Sequence, residues 1–240
     1  MIYNRTMDRE IDPSPPPEAP TDRGDITRQK LLDAAIDVFG RQGYDGTTTR
    51  RLAQAAGVNL QAIPYYFGGK EGLYVAAAEH LVVRISAHVA AKRERLRGRI
   101  AEADRAGGLS VGEARALLAE LADTVVGLFI SRDSEAWARF IIREQMAPTE
   151  AFRRIQGGVM QPMMEVAGRL VATVLGETPD SPHVRLRTLA LFGSILMFRT
   201  GRATVLARLG WEEIGPREAD AVRALVGELV ATLSPGEVVP

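Results

Sequence analysis

Residues 27–75 read TRQKLLDAAIDVFGRQGYDGTTTRRLAQAAGVNLQAIPYYFGGKEGLYV, and the spacing inside this stretch decides the fold. Leu31, Leu32, Ala35, Ile36 and Phe39 recur at the intervals of one helical face. Thr27 stands as the N-cap of that helix, with Lys30 where a capping box would place an acid. Gly43 stands where a helix end asks for a residue tolerant of positive φ. A second, short helix runs from about 49 to 56, turns Leu52, Ala53 and Ala56 inward, and ends at Gly57. A third starts after Asn59, a good N-cap, and ends near Phe67, before Gly68-Gly69 breaks the chain. Ala56-Gly57-Val58-Asn59 is a tight connection between two short helices. It holds the later one at a steep angle, able to project into a DNA major groove. Ala53 and Val58 are small enough for close approach, and Leu52, Ile63 and Phe39 can fill the joint core.

The polar groups around this turn suit a nucleic acid. Thr48, Thr49 and Arg50 open the second helix, where hydroxyls, backbone N–H groups and the positive end of the helix dipole favour phosphate. Asn59, Gln61, Tyr65 and Tyr66 lie on or around the third helix. A glutamine can bond adenine bidentately, and a tyrosine can give its hydroxyl to phosphate. Lys70 opens a fourth helix and is expected to reach the DNA backbone as a point charge. The same spacing also occurs in helical proteins that bind no DNA. Basic and acidic residues nearly balance between 25 and 75, and Tyr65 and Tyr66 serve equally as packing residues. A helical protein–protein adaptor therefore stays open as an alternative.

Outward from this stretch the chain continues to read all-α. Residues 1–24 hold Pro13, Pro15, Pro16, Pro17 and Pro20 among charges and few large apolar residues, which predicts a disordered tail. Residues 25–72 form the expected helix-turn-helix domain, and 73–240 a larger helical domain. The fourth helix runs from about 70 to 104. Later ones are expected at about 111–131, 134–146, 150–176, 183–209 and 216–233, separated by breaks such as Ala147-Pro148-Thr149 and Gly215-Pro216. No strand-like alternation bounded by hairpin turns occurs. Leu186, Leu189, Ala190, Gly193, Leu196, Met197 and Thr200 form one apolar stripe, and Val222, Leu225, Val226, Leu229, Val230 and Leu233 another. Two such helices per subunit can pair across a twofold axis as a four-helix interface, giving a homodimer through the last two helices.

Composition narrows the chemistry. There are no cysteines in 240 residues, so disulfides, thiolate zinc sites and thiol catalysis are excluded, and a cytoplasmic location is compatible with that. Formal net charge is zero, which argues against a generally sticky polycation but leaves local basic faces free to act. No stretch approaches the ~18 apolar residues of a membrane span. No signal peptide opens the chain, and no membrane partner is expected. His80, His88 and His183 lack ligand spacing, and no nucleophile–base pair or phosphate loop emerges, so no metal, cofactor or enzyme activity is expected. Lys92, Arg93, Arg95, Arg97 and Arg99, interleaved with Glu94 and Glu102, read as a solvated helix face, with an auxiliary DNA contact as the other reading. Candidate effector-pocket residues are Trp137, Phe140, Ile141, Phe152, Met160, Met163, Met164 and Met197, because aromatic and methionine side chains line adaptable cavities. Each of these also fits plain core packing. Arg143 and Glu144 can fix a polar ligand, pair with each other, or be structural, beside Thr149 as a helix N-cap.

The long stretch resembles the DNA-binding domain of the TetR family of bacterial repressors. The residues that carry the likeness are Ala34-Ala35, Phe39, Gly43-Tyr44, Thr47-Thr48-Thr49-Arg50, Leu52-Ala53, Ala56-Gly57-Val58, Tyr65-Tyr66-Phe67 and Lys70-Glu71-Gly72-Leu73. Further on, Arg143-Glu144-Gln145, Ala147-Pro148-Thr149-Glu150-Ala151-Phe152 and Leu209-Gly210-Trp211 resemble the CecR-type branch. The resemblance implies a ligand-responsive regulator, by default a repressor. It would bind a near-palindromic double-stranded operator as a homodimer and be released by a small-molecule effector. It also implies DNA contacts at Thr49, Arg50, Leu60, Gln61, Ala62, Tyr65, Tyr66 and Lys70. One departure stands out. Pro64 lies inside the third helix and removes the N–H that would bond the Leu60 carbonyl, a loss worth ~3 kcal/mol in a helix interior.

Overall fold

The computed structural model describes residues 22–130 and 134–235, which form eleven α-helices and one π-helical turn, with no strand among them. The first three helices are α1 (Asp22–Gln42), α2 (Thr49–Ala56) and α3 (Ala62–Phe67). The remainder are α4 (Lys70–Arg105), α5 (Val111–Ile130), α6 (Glu135–Met146), α7 (Glu150–Ile155), a π turn (Gln156–Met160), α8 (Gln161–Leu175), α9 (Pro182–Thr200), α10 (Arg202–Leu209) and α11 (Pro216–Ala231).

The helix α1 begins ahead of Thr27, which therefore sits in the helix body and not at its N-cap. Asp25 in the first turn complements the dipole, and no proline follows Pro20 to stop the helix there. Residues 22–24, read from sequence as the end of the tail, are helical; 1–21 lie outside the described residues. The apolar face is the one the periodicity demanded: Leu31, Leu32, Ala35, Ile36 and Phe39 are all buried. Each large side chain so buried contributes about 1.5–3 kcal/mol.

Two cores share one long helix. The first gathers those α1 residues with Leu52, Ile63, Leu73, Tyr74 and Leu81, and it also takes in Phe140 and Ile141 of α6 and Ala151 and Ile155 of α7. The second lies among α4, α5, α8, α9 and α11. At 36 residues α4 is about 54 Å long and enters both cores, with Leu73 to Ile85 in one and Leu96 to Ala103 in the other. The boundary expected at 72 therefore falls within a shared core.

Two expected helices are divided. The segment 150–176 passes through the π turn, where Gly158 lies so close against Val82 of α4 that a side chain there would collide with it. The segment 183–209 breaks at Gly201, with α9 and α10 bent 79° apart. Among the described residues no single helix is long and apolar enough to cross a membrane.

Candidate nucleic-acid interface

The turn between α2 and α3 is built from local hydrogen bonds. Thr48 caps α2 by accepting the Arg51 N–H at 3.3 Å. At the other end Gly57 adopts φ 64°, a left-handed conformation that disfavours any residue with a Cβ. Its N–H reaches the Gln54 carbonyl at 3.1 Å, and the Val58 N–H reaches that of Ala53 at 3.0 Å. This pair of bonds closes a Schellman motif and reverses the chain within four residues. The Asn59 Oδ1 then accepts the Gln61 N–H at 2.9 Å. One turn through Leu60 and Gln61 precedes Ala62, so α3 starts slightly later than its capping residue suggested.

Pro64 consequently occupies the third position of α3, in the first turn and not the interior. First-turn N–H groups have no intrahelical acceptor in any helix. The Leu60 carbonyl accepts instead from the Ile63 N–H at 3.3 Å. The proline therefore leaves no carbonyl unpaired there.

Around this turn the side chains sort into two sets. Thr48, Arg50, Asn59, Leu60 and Gln61 are exposed, and Tyr65 leaves 81% of its surface in solvent. Thr49, Ala62 and Tyr66 are half-buried; the Tyr66 ring meets that of Tyr65 edge-on at 4.8 Å. Arg51 and Gln54 of α2 are exposed as well, and sequence reasoning missed both. The four-residue spacing of Arg50 and Gln54, which places them on one face, was the available signal. Arg28 of α1 was also missed; its guanidinium lies 5.5 Å from the centre of the Phe67 ring.

Two carboxylates of this region are taken up by neighbouring side chains. Asp37 is bonded by Arg41, with the Nε–Oδ1 distance 2.8 Å. Asp33 is held by His80 at 3.0 Å and Arg84 at 2.6 Å. Burial raises the Asp33 carboxyl, but bonds from His80 and Gln29 and the Arg84 charge outweigh it and hold the group below its ordinary value. Arg28, Arg50 and Arg51 make no ion pair among the described residues.

Lys70 departs from expectation. Its ammonium turns back into the protein, donating to the Tyr44 carbonyl at 2.9 Å and the Thr47 carbonyl at 3.0 Å, and lies 4.1 Å from the Tyr44 ring centre. A cation meeting two carbonyls and an aromatic face is held there by charge–dipole and cation–π attraction. It ties the start of α4 to the loop before α2.

Arg143 and Glu144 do not pair with each other. Arg143 donates through Nε to the Gly40 carbonyl at 3.0 Å and through Nη2 to the Arg41 carbonyl at 2.8 Å, capping the C-terminal end of α1. Glu144 is 1% exposed; it accepts from the Tyr74 hydroxyl of α4, and from the Thr149 N–H and hydroxyl at 3.1 and 2.9 Å. Burial, and then the neighbouring Glu144, push the Tyr74 hydroxyl well above its usual value. The Tyr74 ring stacks on Phe140 at 5.1 Å and meets Phe39 edge-on at 4.7 Å. One end of α6 thus clamps α1, α4 and α7 together.

The other expected effector residues are dispersed. Phe140 is buried in the first core, Trp137 packs against His88 and Arg84, and Gln145 Nε2 lies 2.9 Å from the Met160 sulfur. Met164 packs against the second core, while Met197 is exposed on α9. None of Trp137, Phe140, Arg143, Glu144, Met160, Met164 and Met197 lines the large cavity of about 970 Å³. That cavity lies instead between the second half of α4, α5, the π turn and α8; Met163 is the one methionine of the wider candidate set on its wall.

The two halves of this architecture have known counterparts. Residues 31–77 match the family described as bacterial regulatory proteins, tetR family, and residues 114–236 match the C-terminal domain of the HTH-type transcriptional dual regulator CecR. The CecR protein of Shigella flexneri is 33% identical over 211 residues, covering 87% of this chain and 91% of that protein. The HTH-type transcriptional repressor AcnR of Corynebacterium glutamicum is 35% identical over 92 residues, 38% of this chain and 49% of that one. The crystal structure of the transcriptional regulator FadR from Bacillus subtilis in complex with stearoyl-CoA superposes with a TM-score of 0.54 at 20% identity, covering 85% of this chain and 97% of that chain. At that identity the likeness shows the fold alone. An N-terminal helix-turn-helix with the tetR pattern, continuous with a CecR-type helical domain, settles the family: the chain belongs to the TetR family of DNA-binding transcriptional regulators, in its CecR-type branch.

Proposed function

We propose that this regulator is a homodimeric repressor that binds a near-palindromic operator and leaves it when a small molecule occupies the larger domain. One observation carries the DNA face. Arg50, Arg51, Gln54, Asn59, Gln61 and Tyr65 stand exposed on and beside a turn closed by backbone hydrogen bonds from Gly57, Val58 and Ala62, while the nearby carboxylates of Asp33 and Asp37 are neutralised elsewhere. Thr48 and Thr49 with Arg50 would meet phosphates, and Leu60, Gln61, Ala62, Tyr65 and Tyr66 the groove. Lys70 would act by bracing this face.

The dimer reading rests on an apolar surface. Leu186, Leu189 and Met197 of α9 and Leu225 and Leu229 of α11 are exposed, with Leu186 at 65%, while Val222, Val226 and Val230 of α11 point inward. A patch of this kind, on adjacent helices, is what an isologous contact covers. AcnR, similar over 92 residues, is named a repressor, which favours repression; FadR was crystallised with stearoyl-CoA, which favours a ligand as the releasing signal.

The test is retention of the DNA upstream of the chain's own gene in a shift assay. Affinity should fall steeply as salt rises, because phosphate contacts release counterions. A chain that retains no duplex even at low salt would be an adaptor and not a regulator.

A further inference from the structure

The cavity between α4, α5, the π turn and α8 has two unlike ends. Toward Ile85 it is mostly apolar, walled by Val89, Val125, Leu128, Val159 and Met163, with Ser86 the polar residue beside them. Farther along α4 it is rimmed by Arg93, Arg95 and Arg97. Its other cations are engaged: Lys92 Nζ bonds Asp123 at 2.9 Å and Arg99 pairs with Glu120. The wall carboxylate of Glu165 accepts from Gln161 at 2.9 Å. Arg93, Arg95 and Arg97 make no ion pair among the described residues. Ten residues of helix separate Ile85 from Arg95, about 15 Å of trough.

Distance removes DNA as the reason for these arginines. Positions 92 to 99 lie 22 to 29 residues beyond Lys70 on one unbroken helix, about 33–44 Å from the helix-turn-helix end. An apolar trough ending in unpaired guanidinium groups is complementary to one kind of molecule. We infer that this cavity binds a single-chain amphiphile whose apolar tail lies toward Ile85 and Val159 and whose anionic head meets Arg93 and Arg97, four residues apart on one face of α4. The volume falls within the roughly 300–1,000 Å³ of small-molecule sites. Guanidinium forks suit either a carboxylate or a phosphate head. The π turn that forms one wall is itself an irregularity of a kind that recurs at functional sites. The inference deepens the effector site of the reading above and rests on it.

The experiment is calorimetric titration of the full chain, without DNA, by four probes below their aggregation concentrations: laurate, lauroyl-CoA, methyl laurate and dodecyltrimethylammonium. At least one of the two anions should bind, and the neutral and cationic chains should bind roughly tenfold more weakly or not at all. Preference for lauroyl-CoA would identify a phosphate-bearing head, and preference for laurate a carboxylate; either supports the site. Arg93→Ala/Arg97→Ala changes only exposed side chains and should abolish the preference for anions. Val89→Trp, which fills the trough, should weaken every probe. Equal affinity for all four probes, no binding of either anion, or an undiminished anion preference in the double variant overturns the inference. A shift assay on the same preparation keeps the two readings apart. Amphiphile binding without operator binding sinks the regulator reading alone, and operator binding without amphiphile binding sinks this site alone.

Discussion

Tyr65 is an aromatic ring held largely in water, and its burial contributes little to the stability of the isolated chain. Arg50 likewise has no internal ion-pair partner. Substituting either by alanine should leave the melting temperature nearly unchanged, since exposed substitutions stay within about 0.5 kcal/mol. Operator affinity should fall by about 1–3 kcal/mol for a specific contact, and Arg50→Ala should reduce the salt slope by about one. Fluorescence anisotropy across a salt series beside thermal melts would reveal both; a lowered melting temperature with unchanged affinity would reverse the assignment. Lys70 predicts the opposite ordering. Lys70→Ala removes two charge-assisted bonds to carbonyls and should cost about 1.5–3 kcal/mol in urea unfolding. The carbonyls of Tyr44 and Thr47 precede Lys70 by 26 and 23 residues, so no local pattern in the sequence announced this partnership. Asp33 adds a dependence on pH. Its carboxyl lies below the ordinary 3.8, so the pairing stabilises the fold above that value and is lost as pH falls through the lower, folded one. Asp33→Asn should flatten the acid limb of the stability curve below about pH 4 and lower stability at neutral pH. An acid limb identical to that of the parent chain would contradict this.

At the scale of helices, Pro64 shows why register matters more than residue type. In a helix interior it would cost ~3 kcal/mol, but a first-turn position has no intrahelical acceptor to lose. Pro64→Ala should therefore change stability in urea by less than about 0.5 kcal/mol. A gain of several kcal/mol would mean that α3 begins earlier than its hydrogen bonds indicate. The helices around it were legible in sequence because their faces and glycine turns are local: Leu31 to Phe39 and Gly57 each act within a few residues, whereas the cap expected at Thr27 fell inside the body of α1. The breaks at the π turn and at Gly201 were not. A glycine inside a periodic pattern reads as a cost of about 1 kcal/mol, tolerated or not according to what packs beside it. Here the neighbours are Val82 of α4 and Met197 of α9, and only the tertiary structure supplies the former. The cavity was illegible for the same reason. Its walls come from three distant helices and the π turn, whereas the aromatic and methionine residues chosen by type were drawn largely into cores, and Arg143 and Glu144 into the clamp.

For the whole molecule, affinity for a two-part operator depends on joining two helix-turn-helix units and on holding them at a fixed separation, near 34 Å for adjacent major grooves on one side of the duplex. These requirements lie in different places. In the proposed dimer, joining would rest on the exposed leucines of α9 and α11, and spacing on the Arg143–Glu144 clamp that fixes α1 and α4 to α6. They predict distinguishable failures. Leu189→Arg/Leu229→Arg places like charges on the apolar face and should give a folded monomer by sedimentation. Each monomer would then meet a single half-site, losing the effective-concentration gain of bivalent binding, on the order of 10²–10⁴ in affinity, together with about half of the salt slope. Arg143→Ala should instead leave the dimer and its phosphate contacts intact, so the salt slope persists. What it releases is the angle of the head relative to the body, so affinity should fall and tolerance for operators with altered half-site spacing should rise. Binding measured on operators lengthened or shortened by one base pair separates the cases. A monomer is indifferent to spacing, the parent dimer rejects the altered operators, and the clamp variant narrows the difference between them. Should Arg143→Ala discriminate spacing as sharply as the parent chain, the two carbonyl bonds at the end of α1 would be stabilising contacts without a part in reading the operator.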